Sequence, residues 1–224
     1  MTARRSPVIS ARKAPRQARS TRLVEDTLEA AVRILARDGA RRFTTARVAE
    51  EAGVSVGSLY QYFPNKEAIL FRLQTDEWRR TAALLDGILA DSSRAPLQRL
   101  RDTVLAFFRS EWDEAALRLA LADAAPAYRA APEVLEHRRS GKRRTLKFMA
   151  ELLPDVAPQP RNFVGEVIMS VMSALGKSVS EQARSQGEVE AWAVAIAEML
   201  CAYVKRAAAG SADSVSGTPP RFRF

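Results

Sequence analysis

From Arg22 to about residue 208 the apolar residues recur at spacings of three and four, and no β-branched run alternates apolar with polar. A period of 3.6 marks one face of a helix, a period of 2 one face of a strand. Only the first is present, so the sequence predicts an all-α fold of about nine helices. The first is predicted over Arg22–Asp38, where Val24, Leu28, Ala31 and Leu35 share a face. Gly39 stands where a left-handed cap belongs. Thr45 reads as the N-cap of a second helix, Ala46–Ala52, with Val48, Ala49 and Ala52 inward. Gly53-Val54 makes a tight turn. Ser55 reads as the next N-cap, and a third short helix runs from Val56 to about Phe63. Pro64 stops it, and Asn65 caps the fourth helix.

Longer helices are predicted at about 65–90, 96–111, 113–123, 132–153, 160–184 and 188–208. In the eighth, Val164, Val167, Ile168, Val171, Met172, Leu175 and Val179 share a face. In the ninth, Val189, Trp192, Ala193, Ile196, Leu200, Tyr203 and Val204 do so. Residues 1–20 carry no period and read as a disordered basic arm. The Gly/Ser/Pro-rich residues 210–224 read as a flexible tail.

Charge narrows the class of partner. The chain carries 35 Lys+Arg against 26 Asp+Glu, a net +9. Seven of the cations, and no acid, lie in residues 1–22, whereas residues 23–66 hold six of each sign. The excess is an arm rather than a basic fold, and such an arm suits phosphate backbones or, less often, anionic lipid. The longest apolar-rich run, Phe163 to Gly176, is 14 residues and contains Glu166. A spanning helix needs roughly 17–25 residues. No membrane segment or secretory leader is therefore predicted, and the expected location is cytoplasmic.

One cysteine, Cys201, excludes an internal disulfide framework, and with one histidine, His137, it leaves little for metal binding or histidine-based catalysis. There is no Gly-rich phosphate loop, no nucleophile–base pair and no paired metal ligands. The sequence predicts no enzyme, no cofactor and no metal.

Two short helices joined by a glycine turn, 44–63, make a helix-turn-helix. In that motif the second helix enters the DNA major groove and the first braces it across the backbone. Val56 and Gly57 open the second helix, where side chains reach base edges. Ser58, Tyr60 and Tyr62 offer hydroxyls, and Gln61 an amide. Lys66 is placed to hold a phosphate. The alternative is a plain three-helix domain whose tyrosines pack in its core.

Residues 22–70 resemble the DNA-binding domain of the TetR/AcrR family of bacterial repressors. The likeness runs through Ala30-Ala31-X-X-Ile34-Leu35-Ala36-X-X-Gly39 and Phe43-Thr44-Thr45-X-X-Val48-Ala49. It continues through Ala52-Gly53-Val54-Ser55, Gly57-Ser58-Leu59-Tyr60-X-Tyr62-Phe63 and Asn65-Lys66-Glu67. The resemblance implies that Thr45 and nearby amides grip phosphate, that Ser55, Ser58, Tyr60, Tyr62 and Lys66 contact the backbone, and that Val56, Gly57 and Gln61 face the bases. Val56 suits a thymine methyl. Gly57 offers no side chain, so DNA shape gains weight as a source of specificity. Arg47 either reaches DNA or is simply solvated. The resemblance further implies a homodimer, an operator of double-stranded DNA and a small-molecule effector.

The expected organisation is an arm (1–20), a DNA-binding domain (21–66), a helical ligand-binding and dimerisation domain (67–209) and a tail. Trp78, Phe108, Trp112, Phe148, Met169, Met172 and Ser173 are candidates to line an apolar ligand pocket, or else form core alone. Helices eight and nine are apolar around much of their girth. Val171, Leu175, Val194 and Ala195 are the candidate dimer contacts, the alternative being a buried hairpin in a monomer. The basic run around His137, residues 138–147, reads as a solvated helix face, the alternatives being a site for an anionic ligand or a second DNA contact, and Cys201 reads as a structural thiol, the alternative being a redox sensor. The function expected is a homodimeric repressor released from its operator by a small, largely apolar ligand. The alternatives are an activator or a ligand-independent DNA-binding protein.

Overall fold

The computed structural model describes residues 18–121 and 131–213, and among them it contains nine α-helices and no strand. They are α1 (Ala18–Asp38), α2 (Thr45–Glu51), α3 (Val56–Tyr60), α4 (Lys66–Ala90), α5 (Pro96–Asp113), α6 (Ala115–Leu121), α7 (Pro132–Leu152), α8 (Pro158–Gln182) and α9 (Gln186–Asp213), with a 3-10 turn at Ala40–Arg42. The expected ends move at both termini. Residues 18–20, assigned to the arm, instead open α1. Gly210, assigned to the tail, lies inside α9. The preceding Ala207-Ala208-Ala209 favours helix strongly, and one interior glycine costs only about 1 kcal/mol. The remainder of the arm and of the tail lies outside the described residues.

The helices divide into two compact units. The first takes Met1–Ala82 and Asp113–Arg139, so far as described. The DNA-binding domain expected at 21–66, with its helix-turn-helix at 44–63, lies within it. Its core gathers Val24, Ala30, Ala31 and Ile34 of α1, Phe43, Val48 and Ala49, Leu59, Tyr62 and Phe63, and Ile69 and Leu70 of α4. Leu117 of α6 joins this same core, 7% exposed. The carboxylate of Glu114 is buried beside it, accepting from Gln74 Nε2 at 2.8 Å and Thr81 Oγ1 at 3.2 Å. A smaller cluster joins Phe71, Trp78, Ala131 and Val134, with the Trp78 ring stacked on His137 at 4.7 Å.

The second unit takes Ala83–Trp112 and the described residues from Ser140 onward. Leu100, Val104 and Phe108 of α5 pack with Phe148 and Met149 of α7, Val164 and Ile168 of α8, and Val189, Ile196 and Leu200 of α9. Burying each such side chain stabilises by about 1.5–3 kcal/mol. Arg99 is a buried cation within this unit, 3% exposed. It donates to Leu89 O at 2.6 Å, pairs with Glu151, and lies over the Phe148 ring. By length and composition α8 would suffice to cross a membrane, but it spends its apolar face here, with Val164, Ile168 and Val179 in the core.

Two glycines of α8 let neighbouring helices approach closely. A Cβ at Gly165 would meet Met149 Cγ at 3.0 Å, and one at Gly176 would meet the Phe107 ring at 2.7 Å and Glu111 Cγ at 3.1 Å. Met149 is flexible, whereas the Phe107 ring rests edge-on against Phe108. Overpacking typically costs about 1–3 kcal/mol, against about 0.5–1 kcal/mol gained when alanine replaces a helical glycine. Gly176→Ala is therefore expected to destabilise the protein by about 1–2 kcal/mol. Gly141→Ala in α7, where a Cβ would meet nothing within 4 Å, is expected to stabilise it by about 0.5–1 kcal/mol. Denaturant titration of the two variants checks the opposite signs.

Candidate nucleic-acid interface

Helices α2 and α3 are set by caps and turns that the sequence spells out. Gly39 (φ 70°) and Gly53 (φ 66°) both take the left-handed conformation that closes a helix. After Gly53 the chain turns back, with Val54 N donating to Ala49 O at 2.9 Å. Ser55 caps α3 as predicted, accepting from Ser58 N at 3.0 Å, and Asn65 accepts from Ala68 N at 2.8 Å. The cap of α2 is a correction: it is Thr44 rather than Thr45, accepting from Arg47 N at 3.3 Å. Phe43, 1% exposed, is anchored in the core and puts Thr44 at the boundary. Thr45 becomes the first helical residue, and its hydroxyl lies 3.1 Å from that of Tyr60. That contact ties the start of α2 to the end of α3.

The two helices present most of the expected DNA-facing residues together. Ser55, Val56, Gly57, Tyr60 and Gln61 are exposed, as is Lys66 at the start of α4. Ser58 is half-buried, its hydroxyl 2.8 Å from that of Ser55. A Cβ at Gly57 would meet only Ser55 Oγ, at 3.9 Å, so packing does not demand a glycine there. Tyr62 differs from these in burial. It is 8% exposed and its ring belongs to the core beside Leu59 and Phe63. Tyr60 points outward from α3 and Tyr62 inward from the turn beyond it, so only the first presents its ring to solvent.

Arg47, expected to reach DNA or to be solvated, keeps 38% of its side-chain surface and is held within the protein. Its guanidinium is 2.6 Å from Asp38 Oδ2 and donates to Arg42 O at 3.2 Å. It is one end of a chain of alternating charge between α1 and α2. Arg33 and Arg37 both reach Glu51, at 3.0 and 3.1 Å, and Arg37 also reaches Asp38 at 3.3 Å. The Arg37 guanidinium hydrogen-bonded to Asp38, with the charges of Arg47 and Arg42 added, holds that carboxyl below the usual carboxylate range. Arg33, then Arg37, does the same for Glu51. Thr44, Asp38 and Glu51 escaped the sequence reading. Thr44 is one hydroxyl away from the residue chosen, whereas nothing in local spacing links Asp38 to Arg47.

The candidate ligand residues do not all fall in one unit. Trp78 lies in the first, packed with Phe71 and His137. The other six lie in the second. Phe108 and Phe148 are buried, Trp112, Met169 and Met172 half-buried, and Ser173 exposed. Of the candidate interface residues, Val171, Leu175 and Val194 are half-buried and Ala195 is exposed. Trp192 is a correction. Placed on the inward face of the ninth helix by its period, it is 50% exposed, as is Met199. Val189, Ala193, Ile196 and Leu200 fill the core face, and Trp192 lies beside their stripe rather than within it. Burial raises the pKa of the half-buried Cys201 thiol, so it stays protonated.

Three comparisons bear on this arrangement. Residues 28–73 match the model of the bacterial regulatory proteins of the tetR family, and residues 95–215 match that of the tetracyclin repressor-like C-terminal domain. No curated protein sequence matches the chain. Among solved structures, a TetR-family transcriptional regulator from Mesorhizobium loti superposes with a TM-score of 0.62 at 18% identity, over 84% of this chain and 98% of that one. A tetR-family regulatory protein from Rhodococcus RHA1 gives 0.59 at 20%, over 81% and 96%. The regulator FadR from Bacillus subtilis, in complex with stearoyl-CoA, gives 0.60 at 16%, over 79% and 97%. At these identities the structural likeness speaks for the fold. The family models between them span both the helix-turn-helix and the helices beyond it, and the chain belongs to the TetR family of transcriptional regulators.

Proposed function

We propose that the chain is a homodimeric repressor that binds a near-palindromic DNA operator through α3 and is released by a small, largely apolar ligand. The observation that carries this reading is the surface formed by α2 and α3. Ser55, Val56, Gly57, Tyr60 and Gln61 stand exposed along α3 and its two caps, with Lys66 at the start of α4 and the Thr45 hydroxyl 3.1 Å from that of Tyr60. Tyr60, Ser55, Ser58 and Lys66 contact the backbone, while Val56 and Gln61 meet base edges. With no side chain at Gly57, base readout by α3 is sparse and DNA deformability supplies part of the specificity.

Dimerisation rests on α9. Trp192, Ala195 and Met199 recur at +3 and +4 on its exposed side, an apolar stripe that a second copy would cover. Half-sites bound by such a dimer lie one helical turn apart, about 34–36 Å, or a multiple. The ligand is assigned to the second unit, where Phe108, Trp112, Met169 and Met172 supply apolar and polarisable surface. The bound stearoyl-CoA in the Bacillus subtilis FadR structure is a precedent for an effector with a long apolar part. Ligand acts by shifting the population towards a spacing of recognition helices that misses successive grooves. The usual allosteric coupling is about 1–3 kcal/mol. Such a regulator works where the DNA is, in the cytoplasm.

Lys66→Ala is expected to weaken binding to all duplexes alike and to reduce the slope of log affinity against log salt by about 1. Anisotropy titrations over a salt series measure it, and an unchanged slope removes Lys66 from the interface. Trp192→Glu is expected to give a folded monomer, because Trp192 is already exposed within a single chain. Its operator affinity should fall by at least about 100-fold, since one half-site then lacks the avidity of two. Sedimentation velocity decides it, and a stable dimer would place the interface elsewhere.

A further inference from the structure

We propose that Asp38 is an intramolecular competitor with DNA phosphate for Arg47, and so limits non-specific binding. This rests on the DNA-binding reading above. Arg47 sits on α2 one turn after the cap residue Thr44, close to the end of α2 expected to meet the DNA backbone. Its guanidinium is nevertheless drawn back towards the end of α1, onto Asp38 Oδ2 at 2.6 Å and Arg42 O at 3.2 Å. The side chain of Arg47 keeps 38% of its surface, whereas that of Asp38 keeps 11%. The cation is thus the accessible partner and the carboxylate the fixed one.

The second partner of Asp38 makes the contact exchangeable. Arg37 donates to both carboxylate oxygens, Nε to Oδ1 and Nη2 to Oδ2, each at 3.3 Å. When Arg47 turns to a phosphate, Asp38 keeps one cation and is not left as an unpaired half-buried charge, the state that is costly. Arg37 is itself held by Glu51, so it stays in place. A phosphate wins Arg47 only where the docked geometry brings it close enough to outbid Asp38. Loose, poorly registered encounters with DNA leave the pair closed. The charge balance agrees: over residues 23–66, acids balance cations one for one, and here one such balance is made at a residue next to the DNA-facing cap.

The test compares full-length wild type with Asp38→Asn, Asp38→Ala, Arg47→Ala, the double variant Asp38→Asn with Arg47→Ala, and Glu50→Gln. Glu50 is an exposed acid on the same helix and belongs to no ion pair among the described residues. The probe is a labelled random-sequence duplex, titrated from about 50 to 200 mM salt. Both Asp38 variants are expected to bind it several-fold more tightly than wild type and to steepen the salt slope by about 1, one more phosphate neutralised. Glu50→Gln is expected to change the slope by much less, and the Asp38→Asn effect is expected to vanish when Arg47 is alanine. An equal gain from Glu50→Gln, or a gain from Asp38→Asn that survives in the Arg47→Ala background, reflects net charge alone and overturns the proposal. A wild type that binds no duplex at any salt overturns the DNA-binding reading, and the role of Asp38 with it.

Discussion

The burial of two very short helices against α1 is the constraint on which the exposed surface of α2 and α3 depends. Helices of seven and five residues, as α2 and α3 are, are unstable alone, because nucleation costs more than so few hydrogen bonds return. They persist because Val48, Ala49 and Leu59, each 0% exposed, close over Ala30, Ala31 and Ile34. Everything at the surface inherits its position from that contact. The caps at Thr44 and Ser55 fix where each helix begins, the hydroxyl pair of Thr45 and Tyr60 ties one to the other, and the alternating charges of Arg33, Glu51, Arg37, Asp38 and Arg47 lace the exposed edge of α1 to α2.

Features set by nearest neighbours were legible in the sequence. Gly39 was identifiable as a left-handed cap, and Gly53 as a turn residue, because an abrupt helix end needs what only glycine gives cheaply. Ser55 and Asn65 were identifiable as caps because each is a short polar side chain directly before a helical period. The cap of α2 was missed by one residue, since Thr44 and Thr45 are chemically alike and only the burial of Phe43 separates them. Contacts distant in sequence were not legible at all. Nothing around Leu117 marks it as part of the core built by α1 to α4, and nothing near Asp38 names Arg47. Period alone misplaced Trp192, because a core face of small and branched residues is narrower than an apolar stripe drawn on a wheel.

Fold and membership rest on the local pattern of 28–73 and the helices of 95–215. Along α3 and its C-cap, Val56 and Gln61 reach out, Gly57 offers no side chain, and the ring of Tyr62 just beyond lies in the core. On the proposed DNA-binding reading, a helix with so few reading groups gains from any device that suppresses indiscriminate phosphate contact. Arg33, Glu51, Arg37, Asp38 and Arg47 brace α1 against α2, and the proposed competition of Asp38 for Arg47 would serve that end.

The central claim is that this surface reads DNA twice, once per protomer. Selection of duplexes from a random pool by the full-length protein tests it directly. The account predicts enrichment of a two-fold related pair of half-sites whose centres lie one helical turn apart, about 34–36 Å, or a multiple of it. A pool that emerges with no shared sequence, or with a single site lacking two-fold symmetry, would contradict it.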